Sequence, residues 1–375
     1  MDYINDLNLP NLSPDLSSSY RRELVPYIYS AIRGSWSCAV VGVTGIGLSN
    51  LFRFISEPRI VANYSNTTDS LLIPVYLETG WLTNPRELYH EIIQQMVRSA
   101  RTFNWSRAEQ AAIHYAEQTF GKAETAELEG LLTDTIKRCN SESKRRIVIM
   151  FDEFDVAFHE LPVTTLRHLR RLRDENKQAL IYLAGTRREL RRLDARRSDS
   201  AGKFVELFDQ HTYPLRPYSL FDAQELITRK TFDWHSHPTE DDKTQLYRLT
   251  GGHAKLLVAV LTNWKQRRHL PWPRVEQTLQ QDSGITDLCR AIWDDLEPTE
   301  QATLKTLVIT HRSPAHTEDL NLLRLKGLIV GHPAMIFATL FEYFVQQQQQ
   351  TQLPTLMAAP QGPSVLREPA PDVPW

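Results

Sequence analysis

Residues 40–52 read Val-Val-Gly-Val-Thr-Gly-Ile-Gly-Leu-Ser-Asn-Leu-Phe. The apolar residues leading into this stretch from Cys38 have strand character. Behind it, Leu48, Leu51, Phe52 and Ile55 recur at the i, i+3, i+4, i+7 spacing of one helix face. A glycine turn between strand and helix is the setting of the pattern G-x-x-x-x-G-K-[ST], met here by Gly42, Gly47 and Ser49, with Leu48 in the lysine position. Glycines let backbone N–H groups turn inward around an anion, and the helix that follows points its positive dipole end at the same spot. Gly42, Val43, Thr44, Gly45, Ile46, Gly47, Leu48, Ser49 and Asn50 are therefore the candidate phosphate cradle, and the Ser49 hydroxyl is a candidate Mg²⁺ ligand. Leu48 supplies no cation, so these residues indicate a nucleotide fold and put its chemistry in question.

Strand and helix patterns alternate outward from the loop. Apolar runs at 38–42, 71–77, 146–151 and 179–184, with a short one at His211–Leu215, read as strands, and Pro74 suits an edge position. A helix is expected over 20–33, ending at Gly34, and helical patterns fill most of 85–139. The alternation argues for a parallel sheet covered on both faces, and the near-continuous apolar character of 147–151 and 179–184 fits strands buried on both sides. Residues 222–284 look helical, broken by Thr250-Gly251-Gly252-His253. Residues 285–345 hold three helical stretches and a hairpin turning through Gly331-His332-Pro333. The expected units are an arm (1–19), an α/β core (20–216), a helical unit (217–284), a compact unit (285–345) and a tail (346–375). The tail carries five consecutive glutamines and six prolines, a composition unable to bury a core, and it is expected to be disordered.

With 43 basic and 45 acidic side chains, the formal charge of −2 gives no global pull towards nucleic acid or membrane. Cys38, Cys139 and Cys289, odd in number and far apart, fit neither a disulfide framework nor a metal knuckle. There is no secretion signal at the N-terminus and no apolar run of the roughly 20 residues a bilayer requires, so a cytoplasmic protein without membrane contact is expected.

The second half of a nucleotide site is clearer than the first. Arg146–Phe151 runs into Asp152-Glu153, which puts carboxylates at the carboxyl end of a buried strand, 105 residues after Gly47. Asp152 is suited to hold Mg²⁺ through water, and Glu153 to polarise a water attacking a γ-phosphate. The run at 71–77 is a candidate for a strand lying between the loop strand and the acidic strand.

This order of motifs resembles the AAA+/STAND class of P-loop ATPases, particularly the origin-recognition-like and bacterial STAND members, over residues 20–345. The resemblance implies a three-layer P-loop ATPase core with a parallel sheet, followed by a helical lid and a winged-helix domain, with ATP and Mg²⁺ as ligands. Asp152-Glu153-Phe154-Asp155 resembles the Walker B motif. Leu183-Ala184-Gly185-Thr186-Arg187-Arg188 resembles the sensor-1 strand end, with Thr186 in the polar position that contacts water or the γ-phosphate. Thr250-Gly251-Gly252-His253-Ala254-Lys255 resembles the lid segment of sensor 2, with Lys255 as its basic residue, and Phe221-Asp222-Ala223 resembles the entry into the lid.

Leu48 departs from that pattern. Three outcomes stay open: ATP binding with slow or absent hydrolysis, a competent ATPase with a cation from elsewhere, or a site without nucleotide. Lys255 or an arginine of a neighbouring subunit is a better substitute than Arg53, which is expected to face solvent. Between Arg167 and Arg197 the chain carries ten arginines and Lys177 against four acids. They suit a solvated amphipathic face, a subunit interface with Arg196 or Arg197 as finger, or a path for DNA. The helix expected from Thr317 begins with Glu318 and Asp319, which disfavours phosphate contact at its N-terminus. Expected partners are another copy or a related ATPase subunit, or a protein docking on the winged helix or the tail. The leading expectation is a nucleotide-dependent switch or regulatory subunit. Its rivals are a catalytically dead interaction scaffold and a DNA-associated AAA+ protein.

Overall fold

A computed structural model describes residues 17, 19–64, 72–103, 105–121, 125–141, 145–310 and 318–350. Five strands, β1 (Cys38–Val41), β2 (Leu72–Glu78), β3 (Arg146–Asp152), β4 (Leu180–Thr186) and β5 (Thr212–Pro214), form one parallel sheet in the order β2-β3-β4-β1-β5. The strand lying between β1 and β3 is β4. The run at 71–77, expected there, forms the edge strand β2. Pro74 has no N–H to donate, and an edge tolerates that.

Side chains alternate across the strands. Val148 and Met150 of β3 join an apolar cluster on one face with Phe52 and Ile55, while Ile147, Ile149 and Phe151 join another cluster on the opposite face with Ile92, Leu132 and Leu169. Each fully buried large aliphatic or aromatic side chain contributes about 1.5–3 kcal/mol, so a three-layer core is what runs apolar on both faces must build. The helix expected over 20–33 occupies only Val25–Arg33. Pro26 suits a first turn and not an interior, and Arg21 ahead of it has a left-handed φ of 51°.

Beyond β5, four helices, Leu220–Lys230, Glu240–Thr250, Ala254–Lys265 and Trp272–Gln280, form the helical unit. Phe221-Asp222-Ala223 lies inside the first of these, which Ser219 caps by accepting from Asp222 N–H at 3.1 Å. Helices Ser283–Asp294, Pro298–Thr310 and Glu318–Leu325 follow, then an antiparallel hairpin of β6 (Ile329–Val330) and β7 (Met335–Ile336), and a helix Thr339–Gln350. That last helix runs through the glutamines at 346–350, where the tail was expected to begin. Phe341, Phe344 and Val345 anchor it in the core, and glutamine is a good helix former. The tail from 351 on, and the arm except Ser17 and Ser19, lie outside the described residues. Among those described, no helix is long and apolar enough to cross a membrane.

Candidate functional site

The carboxyl ends of β1, β3 and β4 meet around a cleft of about 460 Å³. It is lined by the glycine loop, Glu153, Asp155 and Arg187 on one side and Tyr218, Lys230 and Lys255 on another. A smaller adjoining cleft of about 300 Å³ holds Ser49, Arg53, Asp152 and Glu153. The loop is stitched to its neighbours at both ends: Gly42 N–H donates to Thr186 O at 2.9 Å, and Lys255 N–H donates to Gly45 O at 3.0 Å. Gly45 has φ +79°, and a Cβ there would meet Lys255 Cβ at 2.9 Å, so only glycine lets the helical unit close this tightly on the loop. Ile46 is fully buried, whereas Asn50 is exposed at the rim.

Leu48 lines the cleft but is partly buried, and its Cδ2 packs against β4 at Gly185 beside Phe52. Arg53 does not point to open solvent as expected. Its guanidinium pairs with Glu78 at 2.7 Å and lies 5.9 Å from the Tyr76 ring, because β2 ends beside the helix Leu48–Ser56.

Asp152 is buried at the end of β3. Its Oδ2 accepts from Tyr76 Oη at 2.7 Å, and its backbone carbonyl accepts from Thr79 Oγ1 at 2.6 Å. Burial pushes the carboxyl above its ordinary range, opposed by the nearby Ser49 and the bonded Tyr76 hydroxyls. Asp152 Oδ1 is buried with no hydrogen-bond partner, an atom whose desolvation asks for a ligand. With Ser49 beside it, the donor set is two oxygens and no nitrogen or sulfur. That set fits Mg²⁺, which keeps most of its waters and takes few protein ligands. No group of three or more histidine, cysteine or acidic side chains among the described residues makes a metal cage.

Glu153 has φ +53°, a left-handed conformation that costs a non-glycine residue about 1–3 kcal/mol and recurs where function fixes a side chain. The turn sends its carboxylate, half-exposed, into both clefts, with Arg187 Nη2 at 4.0 Å. Asp155 accepts the Arg187 N–H on both oxygens at 3.0 Å and so fixes the chain just after β4. Thr186 itself is fully buried, its Oγ1 without a partner, and the cleft beside it is lined by Arg187 instead.

The helical unit grips the loop through His253. Leu256 N–H donates to His253 Nδ1 at 3.3 Å, so Nε2 carries the proton and donates to Thr44 O at 3.0 Å. Burial holds this imidazole down at about 4. Behind the loop, fully buried Arg21 donates to Ile46 O at 3.0 Å and to Arg216 O at 2.5 Å, with its guanidinium 4.1 Å from the Tyr218 ring centre. Lys255 lines the cleft. Arg187, Lys230, His253 and Arg21 had not been singled out. Only Arg187 and His253 lay in segments the motifs had marked.

The arginine stretch is largely engaged within the chain. Arg173 is buried and donates to Ser35 O at 2.6 Å, Arg170 bonds Asp174 at 2.7 Å, and Arg167 and Arg171 stay exposed. The finger candidates are occupied too. Arg196 bonds both Glu297 oxygens, and Arg197 caps the helix Phe154–Glu160 through the carbonyls of Phe158, His159 and Leu161.

A parallel sheet in this order, with a glycine loop after β1, a carboxylate pair after β3 and a helical unit closing over the loop, defines the AAA+ P-loop ATPase fold of the origin-recognition type. Solved structures agree on that fold. The ORC2 protein of Aeropyrum pernix in ADPNP–ADP complexes is similar at TM-score 0.52 and 13% identity, over 92% of this chain and 98% of that one. A Walker-type ATPase of Pyrococcus abyssi is similar at TM-score 0.51 and 14% identity, over 86% and 94%. No protein-family model and no curated protein matches the chain.

Proposed function

We propose that this chain is a nucleotide-dependent switch or regulatory subunit of the AAA+/STAND kind, which binds ATP·Mg²⁺ and hydrolyses it slowly or not at all. The observation that carries this reading is the pairing of a complete acidic half with a loop that lacks its cation. Asp152 with its orphaned oxygen and Glu153 in its strained turn face a glycine loop in which Leu48 leans into the core. Mg²⁺ held by Ser49 and Asp152 would neutralise phosphate charge when bound. Of the chain's own groups, the loop amides orient the phosphates, Glu153 is poised to take a proton from water, and Lys255 faces the same cleft from the helical unit. A charge-assisted hydrogen bond is worth about 1.5–3 kcal/mol, so the missing lysine contact slows a step in which charge moves onto the leaving oxygens.

The division proposed is an ATPase core to 216, a lid to 284, a winged-helix unit from 285 and a tail. The three helices and the β6–β7 hairpin support the third unit. The scaffold reading is favoured by one observation, the packing of Leu48 against β4 at Gly185. A DNA path has less support, since Arg170 and Arg173 are engaged within the chain. Titration with a fluorescent ATP analogue, with and without Mg²⁺, tests the reading. Saturable, Mg²⁺-strengthened binding is expected, and its absence at millimolar nucleotide would leave the scaffold.

A further inference from the structure

The turn at 294–297, which follows the helix Ser283–Asp294, reaches into the glycine loop. Asp295 is buried, and its Oδ2 accepts a hydrogen bond from Thr44 N–H at 2.5 Å. Amides of a phosphate loop are arranged for an anion, and here the chain presents one of its own. The turn is clasped in place by residues that follow β4: Arg188 donates to Asp294 O at 2.7 Å, and Arg196 bonds Glu297 at 2.7 and 2.9 Å. Thr44 lines the cleft, and its amide is the one held by this carboxylate. The carboxylate feels the charges of Arg187 and Arg188, and the same Arg187 stands 4.0 Å from Glu153. Glu153 and Asp155 are the acids of the cleft lining.

We propose that Asp295 determines which nucleotide the site accepts. Docked on Thr44, it stands in for a terminal phosphate, so the site takes a nucleoside diphosphate. A triphosphate enters only by displacing the carboxylate together with the 294–297 turn. This deepens the nucleotide-binding reading and rests on it. Two anions cannot share one amide at hydrogen-bonding distance, and in a partly buried cleft their repulsion is little screened. A carboxylate supplied by the turn after the first helix beyond the lid thus couples the nucleotide's phosphate count to the seating of that turn.

Asp295→Asn keeps one carbonyl oxygen for Thr44 N–H, removes the charge and exchanges the other oxygen for an NH2, and Arg196→Ala loosens the turn without entering the cleft. The experiment is competition of ADP and ATP against a fluorescent nucleotide analogue in the full chain with Mg²⁺, accompanied by hydrogen exchange across 290–297. In the unaltered protein ADP is expected to bind at least about tenfold more tightly than ATP. Asp295→Asn should bring the two within about threefold by strengthening ATP, and Arg196→Ala should shift the ratio the same way. Exchange across the turn should rise with ATP and not with ADP. Equal affinities in the unaltered protein, or an ADP preference that survives Asp295→Asn, would overturn the proposal while leaving nucleotide binding intact. No binding of either nucleotide to any of the three proteins would instead remove the nucleotide reading and this proposal with it.

Discussion

Leu48 Cδ2 lies 3.0 Å from the point where a side chain on Gly185 would begin, so the residue in the lysine position rests against β4. Phe52 Cζ approaches the same point equally closely. Gly185→Ala therefore forces two packed side chains to shift, at a cost of about 1–3 kcal/mol in a urea melt. Adding Leu48→Ala should recover only part of the loss, since Phe52 still obstructs. An unchanged midpoint for Gly185→Ala would show that this contact is looser than described.

Leu48→Lys is expected to raise ATP turnover, by about ten- to hundredfold if one charge-assisted contact is what is lacking. Steady-state phosphate release measures it. A folded variant with turnover still at background would place the defect elsewhere than residue 48.

Glu153→Gln should abolish whatever hydrolysis the Leu48→Lys protein shows and leave nucleotide affinity within about threefold, because an amide occupies the same space without accepting a proton. Loss of binding along with turnover would assign Glu153 to holding the loop and not to chemistry.

His253 makes stability depend on pH. Its folded value of about 4 lies below the ordinary 6.5, so between those limits the unfolded chain binds more protons and stability falls as the solution is acidified. The loss should approach about 3 kcal/mol at pH 4, with Arg21 and Lys255 adding to the penalty on the charged ring. The difference between the unaltered protein and His253→Asn in chemical melts isolates this slope. Parallel pH profiles would show that the ring titrates freely.

A DNA path over the arginine helix is best tested with Arg167, Arg171 and Lys177, the exposed cations of that segment. Each phosphate contact contributes close to one unit to the salt slope, so the triple alanine variant of a DNA-binding surface would lose about three. Because Arg170 and Arg173 are engaged internally, we expect no change in DNA affinity by filter binding. A steep, sequence-independent drop would restore the DNA reading.

Much of the core was legible because its signals are local. The apolar run into Asp152-Glu153 could be little other than a buried strand ending in carboxylates, and Pro74 already spoke for an edge. The start of the first helix was legible as well, since Pro26 forbids a helix interior, but the apolar spacing of 20–33 outweighed it. What sequence could not supply were contacts between distant segments. His253 reaches Thr44 and Asp295 reaches the same residue from farther along, through polar atoms that no periodicity records. Arg53 is a similar case: its solvent-facing assignment rested on distance from the loop along one helix, and a carboxylate on a neighbouring strand decided otherwise.

One apolar cluster runs unbroken from the face of β1 and β3 beneath the glycine loop, through Leu256 and Leu257 of the helical unit, to Phe341 and Val345 in the last helix. Parts joined by a shared oily seam cannot swing apart as flaps on a string without exposing that seam to water. They can only slide against one another by small steps between packed arrangements. Any message passed between loop and C-terminal helices would accordingly be written in ångströms of shear, and a solution-scattering profile would barely register it.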